Sequence, residues 1–377
     1  MSYGDSRRHA LTLLETCLGV GGAETLLVVC DAPHRGVLKP FRDAARAIGL
    51  RRLDEHLYVD EDTLRGVLPS YEVVIFCVSD ALTLSLGHSD ARLQACRSGS
   101  RVAFLTQPLE STPPPGEIFK VAKATNTLRD RLRGARKLAI NTSSSELVVD
   151  VSWRDPVALT SLVTRPGAWG AIPDYAEVAL APIESSPNGS FVVDACVVGL
   201  GALKERLTLF FENGRLKLEG GNLVGESLSR MMAREPGLNV LGEVGFGTNR
   251  MRREFRGEFD DKKALGSAHL GLGDNHTIGG VNRSSLHLDC LAKMCGLRVD
   301  GYQSIFKAYI SLDPPYTLRH RQIRLISRLV VGRMWSQTLI LPTCSVRGAV
   351  KHTPTVGCRR FASSVVEPCS RDMSLRV

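Results

Sequence analysis

Between Glu243 and Asp289 the chain strings metal-binding donor types along glycine-rich turns, in the segments GEVGFGTN, GSAHLGLGDNH and LHLD. Glu243, His269, His276, His287 and Asp289 supply the hard carboxylate and borderline imidazole groups that divalent transition metals select. His287 and Asp289 are separated by one residue, so on a strand both side chains leave the same face and reach one ion. His269 sits among small residues that let backbone and cofactor approach closely, and Glu243 precedes GFGTN in a similarly tight setting. An HxD pair alone is common spacing, and a lone histidine is as readily a satisfied core or loop residue. The company of carboxylates and glycines at moderate spacing carries the metal reading.

These donors need a scaffold, and 377 residues exceed what one hydrophobic core usually supports, so two domains are expected. With 43% hydrophobic and 23% charged residues the composition is that of a soluble globular protein. No apolar run reaches the roughly 20 residues of a membrane span. The start, MSYGDSRRHALTLLETC, lacks the apolar core and cleavage site of a signal peptide, so a cytoplasmic location is expected. Ten cysteines at irregular spacing, without a CxxC pair, read as reduced thiols. Cys30, Cys77 and Cys196 lie in apolar strand-like runs and read as small buried hydrophobes.

The net charge of +9 is confined to the end of the chain: residues 301–377 carry 12 Lys and Arg against 3 Asp and Glu. The body is neutral, which argues against a phosphate-tracking groove and against nucleic acid as its partner.

The expected fold class is α/β: an N-terminal doubly wound domain over residues 1–137, then a mixed α+β metal-binding domain rich in antiparallel strands over 138–300. ETLLVVCD, VVIFCVSD and RVAFL read as buried parallel strands, and VLKPFRDAARAIG and SDARLQACRSG as the helical segments between them. GVGGAE at 19–24 precedes its strand instead of following it, so it is not a dinucleotide loop. Asp31 and Asp80 end strands at the edge where such sheets bind ligands, and read as turn caps. After the proline-rich ESTPPPGE, KVAKATNTLRDRLRGARKL reads as a basic linker helix with a solvated face. Beyond it come short strands and turns, with ENGR as a hairpin signal between two alternating runs, and SLSRMMAREPG as a helix.

PDYAEVALAPIESSPNG, EVGFGTN, AHLGLG and HLD occur here in the order in which similar segments occur in the aminopeptidase T and aminopeptidase S type metallopeptidases. The resemblance spans residues 1–300 and is sharpest from 173 to 290. It nominates Glu177 as a further site residue, and implies that Glu177, Glu243, His269, His287 and Asp289 ligate two divalent ions, zinc, cobalt or manganese, with a bridging carboxylate. It also implies that Glu177 or Glu243 acts as general base, that the substrate is the N-terminal residue of a peptide, and that the protein is a homodimer. Where the peptidases carry a tyrosine seven residues after the motif histidine, this chain has His276, an alternative donor to a developing oxyanion or an extra ligand. The interval from His269 to His287 is also shorter than in the peptidases.

Two other functions fit the same residues. The superfamily is similar to 2,5-dihydroxypyridine 5,6-dioxygenase, in which two histidines and an aspartate hold one ferrous ion. His269, His287 and Asp289 would be that facial triad, with a small hydroxylated ring as substrate. The remaining reading is a metal-stabilised binding protein without turnover.

The segment 301–377 matches nothing in the family. Cys344, Cys358, Cys369 and His352 lack the paired spacing of a zinc knuckle. RQIRLISRLVVGRMW reads either as a basic amphipathic helix for an anionic membrane or RNA surface, or as part of a poorly ordered tail.

Overall fold

The computed structural model describes residues 3–302, apart from 174, 219–221 and 253. The basic tail, with its cysteines and its expected amphipathic helix, lies outside the described residues. The described residues fall within one compact unit, Met1–Pro314.

The first part alternates helix and strand: α1 (Tyr3–Thr12), β1 (Thr25–Cys30), α2 (Leu38–Ala47), β2 (Arg52–Leu57), α3 (Glu61–Val67), β3 (Val73–Cys77), α4 (Asp80–Gly87), α5 (Asp90–Arg97), β4 (Arg101–Leu105) and α6 (Pro115–Leu132). Strands β1, β3 and β4 are buried along their whole length, as the continuous apolar runs require when helices cover both faces. The parallel sheet has the order β2-β1-β3-β4-β8, and its fifth strand, β8 (Trp169–Ile172), comes from well beyond α6.

From β5 onward, β8 apart, the pairing of the strands is antiparallel. β5 (Lys137–Thr142), β6 (Ser145–Asp150), β10 (Asn188–Val193), β13 (Leu207–Glu212), β14 (Arg215–Lys217) and β18 (Gly296–Val299) form a six-stranded sheet. Its ENGR turn is a tight hairpin with Asn213 and Gly214 both at positive φ, which is why asparagine and glycine stand there. A seven-stranded sheet takes the order β12-β11-β17-β16-β15-β9-β7. Its strands are β7 (Val157–Leu159), β9 (Glu177–Leu180), β11 (Cys196–Val197), β12 (Gly201–Ala202), β15 (Leu241–Gly247), β16 (Ala268–Gly273) and β17 (His287–Ala292). Helix α7 (Leu223–Arg234), capped by the Asn222 side chain on the Gly225 amide, precedes β15.

The alternation along these strands separates two environments. Val244, Phe246, Leu270, Leu272, Leu288 and Cys290 point into a core shared with residues of the six-stranded sheet such as Leu138, Val149, Phe191 and Leu209. Their neighbours in sequence point to the opposite face, toward the α/β layer. That face carries Glu177, Glu243, His269, His287 and Asp289, while His276 lies in the turn after β16. Among the described residues no helix is long and apolar enough to cross a membrane.

Candidate metal centre

Four adjacent strands each bring donors to one face: Glu177 from β9, Glu243 from β15, His269 from β16, His287 and Asp289 from β17. All five are buried. His269 Nε2 lies 3.0 Å from Glu243 Oε1 and 3.4 Å from Glu177 Oε2. His287 Nε2 lies 3.3 Å from Asp289 Oδ1 and 3.9 Å from Glu243 Oε2. Glu243 therefore turns one oxygen to each imidazole.

The glycines of the motifs make room for these rings. A β-carbon on Gly245 would sit 2.1 Å from His269 Cε1 and Nε2, and one on Gly271 would sit 2.6 Å from His287 Cε1 and 2.8 Å from Glu243 Cβ. Side chains at either position would expel the imidazoles from the face, so the glycines are part of the donor set's geometry.

Two groups bring one ligand atom from each of three residues within 4.8 Å of one another: Glu177, Glu243 and His269, and His88, Glu243 and His287. Donors about 2.1 Å from one ion in tetrahedral geometry stand about 3.4 Å apart. The separations around His269 Nε2 have that size. Its ring nitrogen faces two buried carboxylate oxygens, a mixed nitrogen and oxygen donor set of the kind a metal cation takes. The two groups that share Glu243 could thus each hold a metal ion, while Asp289 stands beside His287 and pairs with Lys262. A hollow of about 30 Å³, bordered by Tyr175, Glu177, Glu243, Lys262 and His88, adjoins the cluster. It has room for a water-sized group or two.

His287 is prepared for ligation by its outer contact. Its Nδ1–H donates to the Asp274 carbonyl at 2.9 Å, which leaves Nε2 directed at Asp289 and Glu243. Burial alone would lower the His287 pKa, but the Asp289 carboxylate outweighs it and holds the ring above its ordinary value. Asp289 is correspondingly held well below the carboxylate range: burial opposes ionisation, and Lys262 and His287 overcome it.

His88, Lys262, Lys263 and Tyr175 were not anticipated from sequence. His88 caps the C-terminal end of α4 and stacks on His287 with ring centres 4.0 Å apart. Burial, then the neighbouring His287, pushes its pKa far down, so it is a neutral imidazole with a lone pair to give. Lys262 Nζ lies 2.7 Å from Asp289 Oδ2 and 3.9 Å from Glu177 Oε1. Burial would discharge it, but Asp289 and Glu177 keep it charged, with its pKa above the ordinary value. Lys263 Nζ lies 3.2 Å from Glu177 Oε2 and 3.2 Å from the centre of the Tyr175 ring. Burial lowers its pKa to about 7 against the pull of Glu177. The Tyr175 hydroxyl donates to Glu177 Oε1 at 2.8 Å, and burial followed by Glu177 raises its pKa well above normal. A sequence signal existed only for Tyr175, which lies two residues before Glu177 in the same PDYAEVALAP segment. Lys262 and Lys263 belong to the turn Phe259–Lys263, which is entirely buried although four of its five residues are charged.

The structure does not bring His276 to the five. Its Nδ1 lies 2.7 Å from Asp274 Oδ2 and its Nε2 3.1 Å from Asp90 Oδ1, on the wall of a larger cleft of about 670 Å³. His88 and His287 line the same cleft, so it is an approach to the cluster.

No family model matches the chain, and no curated protein does. Among solved structures it is similar to 2,5-dihydroxypyridine dioxygenase from Pseudomonas putida KT2440, with 17% identity and a TM-score of 0.67, over 80% of this chain and 95% of that one. It is also similar to wild-type AmpT from Thermus thermophilus, with 13% identity and a TM-score of 0.59, over 78% of this chain and 95% of that one. At these identities the likeness establishes a shared α/β fold, a parallel sheet with helices followed by two antiparallel sheets, and on that fold this chain carries a buried cluster of metal-ligand residues.

Proposed function

We propose that the chain is a metal-dependent hydrolase of aminopeptidase type, which removes N-terminal residues from peptides and uses Glu243 as the carboxylate shared by two divalent ions. The observation that carries this reading is the orientation of Glu243, with Oε1 toward His269 and Oε2 toward His287. Glu177 and His269 would complete one ion's ligands, His287 and Asp289 the other's, with His88 beside His287 as a further donor. Such ions, when bound, polarise a scissile carbonyl and lower the pKa of a water. The protein's own groups do the rest. Tyr175 and Lys263 fix the rotamer of Glu177. Lys262 keeps Asp289 ionised, and the surrounding apolar residues exclude bulk water. His276, with both nitrogens engaged by carboxylates, shapes the cleft wall where the peptide enters. The test is hydrolysis of aminoacyl arylamides by the zinc-, cobalt- or manganese-loaded protein: activity that disappears in Asp289→Ala supports the reading, and a metal-loaded protein inert to a broad peptide panel contradicts it.

One observation favours a second reading. The Lys262 ammonium against Asp289 Oδ2 already supplies a positive charge to the cluster. A single ferrous ion, as in a ring-cleaving dioxygenase, would then suffice for charge balance. Oxygen uptake with a hydroxylated pyridine by the iron-loaded protein would decide for it.

A further inference from the structure

Beyond the metal centre, a crevice of about 350 Å³ opens at the carboxyl edge of the parallel sheet, between the loops that follow β1, β3 and β4. The order β2-β1-β3-β4-β8 puts the switch in winding direction between β1 and β3, where diverging crossovers leave open α/β sheets with a ligand crevice. Its walls are largely hydrocarbon, from residues such as Pro33, Val37, Val78 and Leu105, with Thr106 and Gln107 among them, and its rim carries the Asp80 carboxylate and that of Glu110, which accepts from Ser6 Oγ at 2.8 Å. His34 also reaches the rim, but it is engaged by Asp31. Among the described residues no lysine or arginine lines the crevice, so the charged side chains at its rim are carboxylates. Apolar walls with a carboxylate rim complement a compact organic cation.

The floor of the crevice is tied to the metal centre. Asp80 Oδ2 accepts from the Phe259 amide at 3.4 Å, and Asp260 Oδ2 accepts from Thr106 Oγ1 at 3.2 Å and from Gln107 Nε2. Phe259–Lys263 is one buried turn, and its far end delivers Lys262 to Asp289 and Lys263 to Glu177. A group that engages Asp80 therefore acts on the turn that holds the cluster's carboxylates.

We infer that this crevice is a second ligand site for a small organic amine, its ring or alkyl body against the apolar walls and its ammonium between Asp80 and Glu110. The inference is independent of the reaction proposed above. Calorimetric titration of the zinc-loaded full chain with benzylamine, benzyl alcohol and benzoate tests it. Benzylamine should bind at least about tenfold more tightly than benzyl alcohol, and benzoate not at all. Val37→Trp should abolish benzylamine binding with unchanged zinc content, and Glu110→Gln, at the exposed rim, should weaken it about tenfold with an unchanged melting temperature. Glu243→Gln should still bind benzylamine, which separates this site from amine coordination at the cluster. Absence of benzylamine binding, equal binding of the alcohol or the acid, persistence of binding in both crevice variants, or its loss in Glu243→Gln would each overturn the proposal.

Discussion

Gly245 and His269 face each other across the β15–β16 pair, and the glycine's missing side chain is the space the imidazole occupies. The added methyl of Gly245→Ala must displace the ring or the strand. The expected cost is about 1–3 kcal/mol of stability, the usual range for overpacking a buried site. Metal affinity should fall more than stability, because the displaced ligand stands between Glu177 and Glu243. Thermal unfolding and metal titration of the variant check both; wild-type metal affinity in Gly245→Ala would refute the cradle.

Lys262 offers a test of the cluster's charge balance. Lys262→Met leaves Asp289 buried without its ammonium, and breaking a buried ion pair from one side costs about 3–5 kcal/mol. A divalent cation would supply the missing positive charge. The melting-temperature gap between wild type and variant should therefore be large after chelation and narrow when zinc is added. A gap that ignores zinc would show that Lys262 acts on packing alone.

Metal uptake should release protons at neutral pH. In the metal-free protein the His287 pKa is raised, mainly because Asp289 overcomes the burial cost, so Nε2 carries a proton that an incoming ion must displace. For stability the sign is that of a raised histidine: its contribution is fully present below the unfolded-state value of about 6.5 and is lost as pH rises through the folded value. For affinity the sign is opposite, and metal binding strengthens with pH across neutrality. Calorimetry in buffers of different ionisation enthalpy counts the protons; uptake without proton release would contradict the assignment of His287.

His88 should matter to metal binding although it comes from the α/β layer. His88→Phe keeps a ring stacked on His287 and removes the lone pair. The expected result is about a tenfold loss of affinity for one ion of the pair, similar in size to the loss of an outer-shell partner, with little change in the melting temperature. An unchanged titration would assign His88 to packing.

The degree to which the site was legible follows from how far each residue's role is local. His287 and Asp289 could be placed from spacing alone, because a strand's period of two puts both on one face. Glu177 comes from a strand far upstream in sequence, and only the resemblance of PDYAEVALAP to a known pattern nominated it. The glycines around His269 and Glu243 suggested close approach, though not that Gly245 lies beneath one ring and Gly271 beneath the other. His88 could not be found, since a histidine in a helix–helix turn has no pattern and its partner is a stacked ring on another layer. Lys262 and Lys263 could not be found either, since a DDKK run ordinarily faces water, and here it is buried with the cluster's carboxylates beside its ammonium groups. Within the α/β layer the long apolar strands were legible, while β8 was missed because it is short and returns to the sheet after a long excursion.

Metal stoichiometry of the wild type and two variants tests the central claim, that Glu243 is shared by two ions, most directly. The protein would be reconstituted with zinc, cobalt, manganese or, without oxygen, ferrous iron, and bound metal counted per chain by elemental analysis. Two ions in the wild type, one in Glu177→Ala and none in Glu243→Ala are predicted. One ion in the wild type, or a Glu243→Ala protein that keeps its full complement, would contradict the shared-carboxylate account.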